Sequence, residues 1–295
     1  MVREAPDRNG RAMTPLDHAL LCIGEVESGP QLFALANGTA CLYTARSPTR
    51  ERPNEDAVAL IPFDDDSAVI AVADGVGGLP AGDVAAGAAV RALQSALAFS
   101  RERGQTLRSA ILDGIEQANH AVLASGVGAA ATFAVVELEG RRMRPFHIGD
   151  CDILLVGQRG RIKLKTVAHA PVAQAVDAGM LDRHAAMHHV DRHLVSNVVG
   201  AADMRIEMGS WRTVAARDTL LVASDGLYDN LHLDEIVERV RKGPLEQIAQ
   251  ALATMAHARM RGHELDEPSK PDDLSFVLYR PNRVRAEPES GQSRL

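Results

Sequence analysis

The sequence predicts a mixed α+β domain organised around antiparallel sheet. Three observations carry that reading. Residues 132–138, 143–148, 152–157 and 161–165 are apolar segments joined by short polar turns, Glu139-Gly140-Arg141 and Gln158-Arg159-Gly160 among them. Sequential hairpins of this kind give antiparallel pairing. Residues 81–101 are alanine-rich, and 106–124 place Leu107, Ile111, Ile115, Ala118 and Val122 at helical spacing, so two helices follow one another. Between the N-terminal strands and these helices runs SAVIAVADGVGGLPAG, residues 67–82. Its apolar run, 68–73, has the length and composition of a strand buried on both faces, and it stops abruptly at Asp74.

Taken in order, the first residues are polar and contain two prolines, so 1–19 are expected as a flexible tail. Residues 20–43 predict two or three short strands, with turns at Ser28-Gly29-Pro30 and Asn37-Gly38. Arg46, Arg50 and Arg52 then crowd ahead of Asn54-Glu55-Asp56, and a strand over 57–61 follows. That loop is either a solvated charged stretch or an arginine able to clamp a phosphate beside acids that orient metal-bound water. After the central strand, Gly75, Gly77 and Gly78 permit a tight turn and close backbone approach, and Pro80 suits a first helical turn.

Beyond the meander, 167–203 holds His169, His184, His188, His189 and His193 without strand periodicity, which predicts a partly exposed flap. No acid or cysteine spacing makes these histidines a zinc site. Strands return over 206–215 and 219–223, and helices over 234–241 and 244–260, with Asp234 as a cap or first-turn acid. A polar loop, 261–271, leads through Asp272-Asp273 into a last strand, 274–279. Residues 282–295 are expected as a second flexible tail. Without internal repeat or linker, 20–281 reads as one domain.

The formal net charge of -7 on 295 residues argues against a nucleic-acid partner. No apolar run reaches membrane-spanning length, the N-terminus has no apolar leader core, and the three cysteines are scattered. These features predict a cytoplasmic protein with no membrane partner, whose cysteines are small buried hydrophobes.

Asp74 is not the only aspartate delivered by a strand to a glycine turn. TLLVASDG ends at Asp225-Gly226, and PFHIGD ends at Asp150. Asp–Gly pairs are ordinary turn dipeptides singly. Several at the ends of buried strands suit a hard divalent cation, which needs oxygen ligands on rigid supports.

In sequence order, an arginine-rich loop with NED, then ADGVGG, IGD, SDG, and DD before a final strand resembles the metal-dependent serine/threonine protein phosphatases, the PPM or type 2C family, in their compact bacterial form. The resemblance covers about 40–280. It implies a four-layer α-β-β-α sandwich, two antiparallel sheets flanked by helices, with the metal cluster in a cleft at one end. It implies two Mn2+ or Mg2+ ions per chain, with a third in some members, and hydrolysis of phosphoserine or phosphothreonine in proteins by metal-activated water, without a phosphoenzyme. By position, Asp74 matches the aspartate bridging two metals, and Gly75 the glycine offering its carbonyl. Asp225 and Asp272 match the remaining ligands of one metal, and Asp273 stands behind them. Glu55 and Asp56 match acids acting partly through water, and Asp150 matches a ligand of the third metal.

Four departures stand out. Glu51 falls where the phosphate-binding arginine commonly stands, which leaves Arg52, with Arg50 as the alternative. Val76 takes the place of a candidate general-acid histidine. Cys151-Asp152 replaces Ser-Arg, and Ala168-His169 replaces Asp-His. The implied partner is a phosphorylated protein, such as a Ser/Thr kinase or its targets, and the implied state is a monomer. The competing reading is a catalytically weak or inactive module that keeps the fold for binding.

Overall fold

The structure is a computed structural model that describes residues 5–6, 12–49, 51–76, 81–262 and 267–282. The expectations placed on Arg50, Gly77, Gly78 and Pro80, and on the tail beyond 282, lie outside the described residues.

The N-terminal strands are β1 (Ala5–Pro6), β2 (Ala12–Pro15), β3 (Leu20–Ile23), β4 (Glu27–Leu35), β5 (Gly38–Ala45), β6 (Asp56–Pro62) and β7 (Ser67–Gly75). Helices α1 (Gly82–Glu102) and α2 (Leu107–Ala124) follow, then β8 (Ala131–Glu139), β9 (Arg142–Ile148), β10 (Asp152–Val156) and β11 (Ile162–Lys165). The flap carries α3 (Pro171–Asp177) and α4 (Arg183–Met187). The chain ends with β12 (Glu207–Met208), β13 (Arg212–Thr213), β14 (Thr219–Ala223), α5 (Asp225–Tyr228), α6 (Leu233–Val240), α7 (Leu245–Met260) and β15 (Leu274–Pro281).

Two sheets form. One runs β1-β2-β4-β5-β15-β14-β10-β11, and the other β12-β9-β8-β7-β6-β3, with β13 also on β9. Among the described residues, every strand pairing is antiparallel except β2 on β4. β7 shows why the sheets sit in the middle of four layers. Side chains alternate across a strand. Ala68, Ile70 and Val72 point into a core shared by the two sheets with Leu42, Leu220 and Val277, while Val69, Ala71 and Ala73 point at α1 and α2. The alanines of that face meet Ala85, Ala86 and Ala89 on α1, so helix and sheet approach closely. A third core joins the outer face of the β5–β15–β14 sheet to α5, α6 and α7. Ile70 is fully buried, and truncating it to alanine would cost about 2–5 kcal/mol.

Local chemistry explains where the elements depart from the expected ones. Ser28-Gly29-Pro30 is not a turn; it lies within β4, where the register against β5 slips between Ser28 and Gln31. A proline without an N–H is tolerated at such an irregularity. The strand expected over 206–215 survives only as two short pairings, Glu207↔His147 with Met208↔Phe146 and Arg212↔Met143 with Thr213↔Arg142. Between them Gly209 N donates to Pro145 O at 2.9 Å, but Pro145 of β9 has no N–H to return a bond, and the ladder breaks there. Within the stretch expected as a tail, Thr14 and Pro15 pair with β4, and Ala12 and Met13 with β1. The flap is more helical than expected: Asp182 caps α4 by accepting from His184 N at 2.9 Å. No described helix is long and apolar enough to cross a membrane.

Candidate active site

The neighbouring ends of β6 and β7 place Asp56 directly opposite Asp74 in the ladder. Gly75 keeps this corner tight. A Cβ there would lie 2.4 Å from the backbone carbon of Gly82, so the first turn of α1 rests against the strand end. A Cβ on Gly82 would in turn sit 2.9 Å from Oε1 of Glu55. Gly75 N also donates to Glu55 O at 3.0 Å. Strand end, NED loop and helix start are thus one packed unit.

The second sheet brings its own aspartates to this corner. β14 runs into Asp225 at the start of α5, and Asp272 precedes β15. A Cβ on Gly226 would lie 1.9 Å from the backbone oxygen of Asp273, so the two turns touch. Asp273 uses its carboxylate on backbone groups beside these acids. Its Oδ1 accepts from Ser47 N and its Oδ2 from Glu55 N, both at 2.7 Å, which ties the NED loop to the second sheet. Ser224 adds a bridge between the sheets: its hydroxyl donates to Asp56 Oδ2 at 2.9 Å and accepts from Ser275 N at 3.1 Å. Asn54 braces the same loop through Thr44 and Glu25 O.

The electrostatics show that Asp74, Asp150, Asp225 and Asp272 share one cleft. Burial holds Asp74 well above the ordinary carboxylate range, and Asp225, Asp56, Asp272 and Asp150 push it further. Asp56 is raised by burial and then by Asp273. Asp150 is pushed up to about 8, by burial first and then by Asp225 and Asp229. Glu55 is raised by burial and Asp273, against a lowering pull from the exposed Arg52. Asp225 goes the other way. Burial opposes its charge, but the Lys270 ammonium and hydrogen bonds from Lys270, Asp74 and Asp229 outweigh it. Without a divalent cation, then, burial and mutual repulsion drive Asp74, Asp56 and Asp150 toward their protonated forms. In addition, Asp56 Oδ1 is buried with no hydrogen-bond partner.

This donor set fits a hard divalent ion. It is all oxygen, it is held on strand ends, and it is short of positive charge. Asp74, Asp225, Asp272 and Asp150 with the carbonyl of Gly75 could hold such ions, and the free lone pairs of Asp56 suit a coordinated water. Two participants were missed at the sequence level. Lys270 Nζ lies 2.6 Å from both Asp225 Oδ2 and Asp229 Oδ2 and 3.1 Å from Asp272 Oδ2. Asp229, one helical turn beyond Asp225, is pushed up to about 6 by burial and Asp225. The i, i+4 spacing of the two acids on one short helix was the available signal.

A second gathering of ligand-type groups lies where the flap joins β9. One ligand atom from each of His147, His169 and Glu207 falls within 4.8 Å of the others. The hydrogen bonds fix the tautomers. Gly149 N and Asn197 Nδ2 both donate to His169 Nδ1, at 3.0 and 2.9 Å, so the ring proton sits on Nε2 and is given to Glu207 at 3.1 Å. His147 Nε2 faces the carbonyl of Val167 at 3.1 Å and must donate as well. Neither Nε2 has a lone pair to offer a metal. The stacked rings, 4.5 Å apart, fasten the flap's root to β9, the strand that leads to Asp150.

A family model for protein phosphatase 2C matches residues 46–267, about three quarters of the sequence. The chain belongs to the protein phosphatase 2C family. Among relatives of known name, the serine/threonine protein phosphatase PstP of Mycobacterium tuberculosis is 26% identical over 217 residues, 71% of this chain but only 40% of PstP. The chain therefore spans less than half the length of that relative. Among solved structures, the serine/threonine phosphatase of S. agalactiae superposes with a TM-score of 0.69 at 26% identity, covering 82% of this chain and 99% of the other. A PstP catalytic domain described in complex with two manganese ions superposes at 0.63 with 24% identity, over 83% and 98% of the chains. These likenesses agree with the observed sandwich, two antiparallel sheets flanked by helices. All the acids described above except Asp272 and Asp273 lie inside the matched segment.

Proposed function

We propose that this protein phosphatase 2C chain removes phosphate from phosphoserine and phosphothreonine in proteins, using Mn2+ or Mg2+. The observation that carries the reading is the cleft itself. Aspartates from both sheets meet there with too little positive charge, and a buried carboxylate oxygen lacks a partner. Its support is the family membership, together with a relative described as holding two manganese ions. When bound, such ions make an attacking water more acidic and neutralise the phosphoryl oxygens.

The chain's own residues then have separable tasks. Asp74, Asp225 and Asp272 hold and space the ions, Gly75 adds its carbonyl, and Asp150 serves a third ion. Asp56, fixed by Ser224, and Glu55, fixed by Asp273, orient coordinated water through their carboxylates. Arg52, exposed beside Glu55, meets the phosphoryl group as it enters. Because phosphoryl transfer depends on positioning and charge stabilisation, no side-chain nucleophile is required. The buried Cys151, whose thiol burial pushes well above its usual value, is unsuited to that role.

The same reading makes the substrate a phosphorylated protein, such as a Ser/Thr kinase or its target, met by a cytoplasmic monomer. An inactive module kept only for binding is disfavoured by the full set of cleft carboxylates. Phosphate release from a phosphothreonine peptide, with Mn2+ and with excess chelator, tests the proposal. Release that depends on Mn2+ and disappears with chelator is expected; a folded sample that releases none in either condition overturns it.

A further inference from the structure

The cleft contains a cation of its own. The Lys270 ammonium reaches Asp225, Asp229 and Asp272 at 2.6, 2.6 and 3.1 Å, and its side chain is only 20% exposed. It is built into place. Lys270 N donates to Asn230 Oδ1 and Asn230 Nδ2 donates to Lys270 O, both at 2.9 Å. Asn230 is itself fully buried and also donates to Gly226 O at 2.9 Å, which locks the lysine's backbone to the turn carrying Asp225. Pro271 restricts the chain immediately after it. Asp225 and Asp272 are two of the carboxylates that the proposed function gives to a divalent ion.

We propose that Lys270 is a tethered cation that shares Asp225 and Asp272 with the divalent ion, holding them when the ion is absent and withdrawing toward Asp229 when it binds. The inference rests on the metal-site reading above. An ammonium donating to a carboxylate oxygen uses a lone pair that an ion would coordinate, and the two like charges repel at this range. The lysine therefore does two things. It neutralises part of the acid cluster in the ion-free protein, and it lowers the affinity for the first ion, so that loading follows the free Mn2+ or Mg2+ concentration instead of being permanent.

The test is Mn2+ binding to the wild type, Lys270→Met and Lys270→Arg at matched ionic strength, read from the electron paramagnetic resonance signal of free Mn2+. Lys270→Met, nearly isosteric but neutral, is expected to bind at least about tenfold more tightly, whereas Lys270→Arg stays within about threefold of wild type. Equal or weaker binding by Lys270→Met, or equal tightening by Lys270→Arg, overturns the lysine's role while leaving the metal site standing. No Mn2+ binding by any of the three overturns the metal reading as well. Should Lys270→Met not fold without metal, the wild type decides. Its Lys270 Nζ resonance is expected to shift as the first equivalent of Mg2+ is added, and an unmoved resonance overturns the proposal.

Discussion

The acid cleft and the flap junction both collect side chains that bind metals elsewhere, yet they differ in what those side chains lack. At the junction, each ring nitrogen facing the cluster has a partner of the right kind: His169 Nδ1 accepts twice, its Nε2 donates to Glu207, and His147 Nε2 donates to Val167 O. In the cleft, Asp56 Oδ1 has no partner, and Asp74 and Asp150 are driven toward their protonated forms. Residue type alone would rank the junction's two histidines and a glutamate as the better metal site. Hydrogen-bond satisfaction ranks them in reverse. A site that calls for a cation is recognised by unmet charge and unused lone pairs.

The most severe test of that contrast removes a cleft carboxylate. Asp225→Ala should lower turnover on a phosphothreonine peptide by more than about a hundredfold, since it removes an electrostatic anchor for the ions. Its circular dichroism should stay close to wild type, because the loss relieves a repulsive cluster. Near-normal turnover would mean that the chemistry lies elsewhere. Gly226→Ala tests the packing beneath the acids. Its Cβ would fall 1.9 Å from Asp273 O, so the turn must move. A loss of about 1–3 kcal/mol in urea unfolding is expected, as for other overpacked sites. An unchanged midpoint would show that the Asp225 and Asp273 turns are not held in contact.

The pH dependence of the ion-free protein separates the two regions next. Asp150 and Asp229, at about 8 and 6, and the raised Asp74 and Asp56 all lie above the unfolded carboxylate value of about 3.9. The folded chain then binds more protons than the unfolded one. Their contribution is present at low pH and is lost as pH rises from about 4 through 8. Asp225 has the opposite sign, but its contribution changes only below the unfolded value. His147 and His257, held below their usual range by burial, also work the other way, as two groups against six raised carboxyls once Glu55 and Glu137 are included. In chelator, the urea midpoint should be higher near pH 5 than near pH 8, and saturating Mn2+ should erase the slope. A midpoint in chelator that rises with pH would contradict the shared acid cluster.

The two regions were not equally legible. Asp74, Asp150 and Asp225 announce themselves because a buried strand that ends in Asp beside a turn is a local pattern, visible within eight residues. The helices α1, α2, α6 and α7 were legible for the same reason. Lys270 and Asp229 were not, because their meeting depends on the backbone of Lys270 docking against Asn230 just past α5, a contact spanning 40 residues. The broken strand over 206–215 failed for a related reason: the interruption comes from Pro145 on another strand. Ser28-Gly29-Pro30 carried a true turn composition, but pairing with β5 absorbed it as a register slip.

The smallest expected effect addresses the junction directly. His169→Ala deletes the acceptor of Gly149 N and the donor to Glu207, and leaves His147 without its stacked ring. If the junction only fastens the flap, the number of Mn2+ ions bound per chain, counted by equilibrium dialysis, stays as in the wild type. The effect on catalysis should then be indirect, through Asp150 and the flap, and stay within about tenfold in kcat/KM, the scale of lost positioning hydrogen bonds. It should fall on a phosphopeptide more than on a small aryl phosphate, which makes no use of the flap. Loss of a bound ion in the variant would instead show that His169 coordinates metal. The tautomer argument would then be wrong, and with it the rule that separates the two regions.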